Sequence, residues 1–124
     1  MKFRNFSYYE FDSPLQEGSG QLMSNQLIAM LDDARDLAGV PFKITSGYRI
    51  EADIERLRKQ GYKVSRNSSH LKGLAADIAC MGSTERFNMI DSLMKVGFNR
   101  IGIADTFIHV DIDPDKPAFM IWTY

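Results

Sequence analysis

The apolar positions of this chain change period along its length. From Ser24 to about Leu37 they recur at helical spacing. Leu27, Ile28, Leu31, Ala34 and Leu37 share one side, Ser24 is placed to cap the start, and Gly39 ends the run. Met23 and Met30 read as core filler. Pro41 opens a short extended run, Phe42-Lys43-Ile44-Thr45, which closes on Ser46-Gly47-Tyr48-Arg49. A charged, exposed helix is expected over 51–60, ending at Gly61, and a polar, mobile loop over 62–69. Gly73 to Cys80 reads as a buried strand. Ser83 starts a third helix that presents Phe87, Ile90, Leu93 and Met94 on one face, with Gly97 after it. Two strands, 99–103 and 107–112, follow around a tight connection at Ala104-Asp105-Thr106. After the turn Asp113-Pro114-Asp115-Lys116-Pro117 comes a last apolar strand, Phe119 to Trp122. Residues 1–20 form a lead-in expected to pack across the domain through Phe3, Phe6, Tyr8 and Phe11. Helices first, then mainly strands on short loops, predict an α+β fold: a small antiparallel sheet with helices packed on it.

Composition changes this picture little. With 124 residues the chain suits one domain spanning 1–124 and is too short for two. A formal net charge of -1 gives no electrostatic reason to expect nucleic acid or a membrane surface as partner, and a monomer is expected. The single cysteine, Cys80, excludes an intrachain disulfide and a four-cysteine metal site. The first residues show no apolar run of signal-peptide length, so synthesis as a soluble cytoplasmic protein is expected.

Candidate chemistry concentrates on the only two histidines, His70 and His109, and on Asp77. Side chains alternate along a strand, so Ala75, Asp77 and Ala79 share one face. Phe107, His109 and Asp111 likewise share one face, while Ile108, Val110 and Ile112 point the other way. Asp77 and His109 can therefore face one cleft, with His70 on the loop that leads into the first strand. Two imidazoles and a carboxylate make a three-ligand zinc set that leaves a fourth position open. A buried carboxylate is costly unless paired or metal-bound. On the residues alone, a metal site and a hydrogen-bonded structural role both stay open.

The motif Ser68-x-His70-x-x-Gly73-x-Ala75-x-Asp77 resembles the signature of the zinc D-alanyl-D-alanine carboxypeptidase family. This group of peptidoglycan metallopeptidases includes D,D-dipeptidases and phage L-alanyl-D-glutamate endopeptidases, and shares its fold with the hedgehog signalling domain. Gly102-Ile103-x-x-x-x-Ile108-His109-Val110-Asp111 is similar to the family's third-ligand segment, and Ser46-Gly47-Tyr48-Arg49 to an upstream element. The resemblance implies Zn2+ as cofactor, with His70, Asp77 and His109 as its ligands. It implies Arg49 as oxyanion or substrate-carboxylate partner, Ser68 and Tyr48 beside the substrate, and a peptidoglycan stem peptide as that substrate. One position departs from the pattern: Thr106 stands where the family places its general base. Asp105 is then the first candidate for the base, and Asp111 the second, as a base or as the partner that orients an imidazole. The expected activity is hydrolysis of a stem-peptide bond, of D-Ala-D-Ala carboxypeptidase or L-Ala-D-Glu endopeptidase type, as in a phage or prophage lytic enzyme acting on the wall after release. The competing reading is a catalytically silent zinc module of a cell-wall or phage structural component.

Overall fold

A computed structural model describes residues 1–124. The chain forms α1 (Asn25–Ala38), β1 (Ile44–Ser46), α2 (Glu51–Lys59), β2 (Ala75–Ala79), α3 (Ser83–Lys95), β3 (Arg100–Ile103), β4 (Phe107–Asp111) and β5 (Met120–Thr123). Single 3-10 turns lie at Tyr8–Phe11, Ser19–Leu22 and Ser69–Lys72. No helix is long and apolar enough to cross a membrane.

α1 starts and stops where its punctuation requires. The Ser24 hydroxyl accepts from the Leu27 N–H at 3.2 Å, and Gly39 takes the left-handed conformation with φ 68°. Leu27, Ile28, Leu31 and Ala34 are buried, but Leu37 is 59% exposed. At about 100° per residue Leu37 sits roughly 110° from the centre of that stripe. Ala38 packs against the core in its place. The third helix differs more from expectation: Phe87 and Met94 are exposed, while Met89, Ser92 and Leu93 are buried. A serine hides the true stripe in the sequence. Its hydroxyl donates to the Asn88 carbonyl at 2.9 Å, so it faces the interior already satisfied.

The five strands form one sheet in the order β1-β2-β4-β3-β5. The first three pairings are antiparallel, whereas β5 runs parallel to β3, with Ile101 opposite Ile121. The expected all-antiparallel sheet is thus a mixed one. The reason lies in the connection after β4: it rounds the start of β3, where the Arg100 guanidinium donates to the Pro117 carbonyl, and lays β5 on the far edge.

The two sheet faces do different work. Ala76, Ile78, Ile101, Ile108 and Val110 turn inward to Leu27, Ile28, Leu31, Leu93 and Phe98. Cys80 is buried in the same cluster, away from the opposite face. The lead-in covers one flank of the core as expected, with Phe6 and Phe11 buried and Phe3 and Tyr8 packed beside them. It also reaches the site: Tyr48 N–H donates to the Phe11 carbonyl at 2.8 Å, and a Cβ on Gly47 would lie 2.6 Å from that carbonyl oxygen. Only glycine allows so close an approach.

Candidate metal centre

Register alone brings two of the expected ligands together. In the β2–β4 ladder Asp77 sits opposite His109, and Ala75 opposite Asp111. The His109 Nδ1 lies 2.9 Å from Asp77 Oδ1. His70 arrives by a different route. It belongs to the 3-10 turn Ser69–Lys72, which Ser68 caps by accepting from the His70 N–H at 3.2 Å. Gly73 ends the turn in the left-handed conformation, φ 71°, where a side chain would also strike the Leu22 carbonyl. The His70 carbonyl accepts from the Arg49 N–H at 3.2 Å, and its Nε2 lies 3.3 Å from Asp77 Oδ1.

The outer hydrogen bonds fix which nitrogen faces inward. His70 Nδ1 is 2.7 Å from the Gly47 carbonyl, which can only accept. Nδ1 therefore carries the proton, and Nε2 presents a lone pair to the cluster in the neutral ring. His109 Nε2 is 2.8 Å from Asp111 Oδ2, so its Nδ1 is the inward atom. Arg49 closes the cluster, donating from Nη2 to Asp77 Oδ2 at 3.3 Å and from Nε to the Ser46 hydroxyl at 2.9 Å.

All three ligand candidates are buried, and their titration follows their neighbours. Burial lowers the His70 pKa, with Asp77 only partly opposing it. Burial would push Asp77 up, but the two imidazoles outweigh it and hold the carboxyl well below the usual range. Burial would lower His109, yet its hydrogen bonds to Asp111 and Asp77 raise it. Asp111, against burial, is pulled down to about 2 by His109 and Arg100.

These donors suit a metal ion. The inward atoms of His70, Asp77 and His109 all lie within 4.8 Å of one another. Ligand bonds of about 2.0–2.1 Å in a tetrahedron separate donor atoms by roughly 3.3 Å. The two separations from Asp77 Oδ1, 3.3 and 2.9 Å, are close to that spacing. Two borderline imidazole nitrogens and one hard carboxylate oxygen make a donor set that Zn2+ accepts.

The other expected residues are placed unevenly. Arg49 and Asp111 join the cluster. Both Asp111 oxygens are engaged, Oδ2 by His109 and Oδ1 by Arg100 Nε at 2.7 Å, which is the arrangement of a partner that orients an imidazole. Ser68 is buried next to His70 with its hydroxyl used as a cap. Tyr48 packs partly against the core. Asp105 lies exposed in the β3–β4 turn beside Thr106, and only its backbone carbonyl has a partner, Arg86.

Three contributors escaped the sequence reading. The Gly47 carbonyl carries no side-chain signal at all. Arg100 was readable, because alternation on β3 puts it and Gly102 on the face that holds His109 and Asp111. The third is a staple beneath His70: Asp113 Oδ2 accepts from the Ser69 hydroxyl at 2.8 Å and from Lys72 Nζ at 3.0 Å, and Lys116 Nζ donates to Ser69 at 2.8 Å.

The architecture is similar to that of a solved structure, the Serratia marcescens L-Ala D-Glu endopeptidase ChiX, with a TM-score of 0.55 at 18% sequence identity. The match covers 61% of this chain and 62% of ChiX. No curated protein matches the sequence. Residues 4–111, from the lead-in through the end of β4 and including all three ligand candidates, match the Peptidase M15 family, and the chain belongs to that family, as its motifs implied.

Proposed function

We propose that the chain is a zinc-dependent peptidase that hydrolyses a peptide bond in peptidoglycan stem peptides. The observation that carries this reading is the trio of inward donor atoms on His70, Asp77 and His109, each ligand held by an outer partner: Gly47 for His70, Arg49 for Asp77 and Asp111 for His109. Family membership supplies the reaction class, and the ChiX likeness favours the L-Ala-D-Glu endopeptidase type over the D-Ala-D-Ala carboxypeptidase type.

His70 Nε2, Asp77 Oδ1 and His109 Nδ1 would hold the ion. A Zn2+ ion there supplies a water acidified to a pKa of roughly 7 and a Lewis acid for the scissile carbonyl. The chain's own groups do the rest. Gly47 and Asp111 keep the imidazoles in the tautomers that offer lone pairs. Arg49, half-buried and permanently charged, donates to Asp77 and is placed to take a substrate carboxylate or a developing oxyanion. Ser68 shapes the wall beside His70. In this reading Asp111 is a positioning group, and Asp105, at the hairpin tip, stands outside the reacting zone.

The test is direct. Purified protein with Zn2+ should clear a cell-wall suspension and release new peptide termini that mass spectrometry can identify, as a phage or prophage lytic enzyme would. The His70→Ala variant should not. Equal clearing by both proteins sinks the reading. A second reading, a silent zinc module, is favoured by one observation: no free carboxylate faces the cluster, since both Asp111 oxygens are engaged and Thr106 is exposed. One zinc per chain without any cleavage of wall fragments would establish it.

A further inference from the structure

The ligand-bearing face of the sheet holds a group of side chains that this chemistry leaves unused. Pairing runs in one row, Asp77–His109–Gly102–Trp122, across β2, β4, β3 and β5. Gly102 sits between the imidazole and the indole. A Cβ there would lie 2.7 Å from Trp122 Nε1 and 2.8 Å from Cε2. Glycine is thus needed for space, because the indole occupies what a side chain would fill. The indole reaches the His109 ring, centroid to centroid 5.6 Å, and carries the Arg100 guanidinium 5.0 Å from its own centroid. Arg100 Nε then donates to Asp111 Oδ1 at 2.7 Å, and Asp111 Oδ2 lies 2.8 Å from His109 Nε2. Contacts therefore close a ring: His109, Asp111, Arg100, Trp122 and back to His109.

We propose that Trp122 and Arg100 are positioning residues for His109, so that β5 belongs to the metal centre although it donates no ligand. The proposal rests on the metal-peptidase reading above. An imidazole can still rotate about its Cβ–Cγ bond after its backbone is fixed, and one hydrogen bond limits that rotation only if the acceptor is itself fixed. Arg100 fixes the acceptor, because it is buried, bonds Asp111 and is tied in turn to the Pro117 carbonyl. Trp122 blocks the ring from the β5 side. With the Gly47 carbonyl doing the same for His70, each histidine has its own frame: backbone for one, an aromatic and an ion pair for the other. From its place on the β3 edge, β5 can send the Trp122 side chain over Gly102 to the β4 imidazole.

The test compares Gly102→Ala, which displaces the indole without removing it, Trp122→Ala, and the conservative Trp122→Phe. Three readouts are used: the Zn2+ dissociation constant by chelator competition, the visible spectrum of the Co2+-loaded protein, and the His109 imidazole N–H resonance of the metal-free protein. Gly102→Ala and Trp122→Ala should each weaken Zn2+ binding by about 10–100-fold. Both should change the Co2+ spectrum and shift or broaden the His109 resonance, while the metal-free protein still unfolds cooperatively. Trp122→Phe should bind Zn2+ within about threefold of wild type, since a smaller ring still blocks the imidazole. As the only tryptophan in the chain, Trp122 should also report metal uptake by a change in its fluorescence. Wild-type affinity and an unshifted His109 resonance in both Gly102→Ala and Trp122→Ala would overturn the proposal. If wild type takes up no Zn2+, the metal reading fails on its own. The metal-free resonance then decides the frame, and an unchanged signal in Gly102→Ala sinks it.

Discussion

The candidate metal centre draws its three donor residues from two regions built on different principles. Asp77 and His109 are set by backbone pairing, on neighbouring strands whose ladder places them opposite each other. His70 lies outside any ladder, on a short 3-10 turn held by the Ser68 cap and the Asp113 staple, with its ring fixed by the Gly47 carbonyl. Ladder bonds lie within the sheet and do not depend on ionisation. The staple depends on one carboxylate and two lysines. One half of the site should therefore move only with the fold, and the other should yield on its own.

The harshest way to break the comparison is Asp77→Ala, because this carboxylate links both halves. The variant should lose stoichiometric zinc, and it leaves Arg49 without its carboxylate and both inward imidazole nitrogens without a partner. In urea unfolding of the metal-free protein the cost should be about 3–5 kcal/mol. A wild-type midpoint would show that the cluster carries no such energy. Asp113→Ala should cost less, about 1–2 kcal/mol, because Lys72 and Lys116 keep access to water. Its effect should be regional: backbone amides of Ser69–Lys72 exchange faster with solvent while those of β2 and β4 keep their protection. Uniform acceleration would mean that the two regions are not separable.

Acid gives a gentler form of the same contrast. Burial alone would raise the Asp113 carboxyl, but hydrogen bonds from Ser69 and the Asp115 N–H, with Lys72, hold it below its model-compound value of 3.8. The folded state therefore resists protonation more than the unfolded chain does. The staple's contribution is complete above about pH 4 and is lost as pH falls through the lowered folded value. Asp113→Asn should flatten that part of the acid-unfolding curve, and an unchanged curve would remove Asp113 from the account. The smallest effect belongs to Asp105→Asn. With an exposed side chain in the hairpin turn, it should leave stability within about 0.5 kcal/mol and any wall-clearing rate within about twofold. A complete loss of clearing with zinc retained would restore Asp105 as the proton acceptor.

The sequence disclosed these regions unequally, for physical reasons. Alternation along 74–80 and 107–112 placed Asp77 and His109 on matching faces, since a period of two leaves little freedom once one face is apolar. The spacing of Ser68, His70 and Gly73 marked the turn but not what holds it, because the Gly47 carbonyl belongs to backbone and Asp113 looks like any turn aspartate. Strand order was legible only in part: the tight connection at 104–106 marked β3 and β4 as neighbours, but not the edge that β5 joins. Periodicity records which residues face inward, not which edge a strand joins, and so the parallel placement of β5 and the reach of Trp122 appear only in the folded chain. The buried stripe of α3 was misjudged because Ser92 satisfies its own hydroxyl and can pass for an apolar residue.

β4 carries Ile108 and Val110 into the interior and His109 and Asp111 onto the opposite face, residue by residue along one strand. Nothing cushions one set from the other. A methyl group gained or lost in the hydrophobic interior is therefore felt by the same strand that positions the candidate donor His109 and its partner Asp111. If the proposed zinc site is correct, efforts to make this protein hardier by repacking around β4 would at the same time retune its metal affinity. Changes around α2, which sends only Ile54 and Asp53 fully inward, are the safer ground for engineering stability without touching the chemistry.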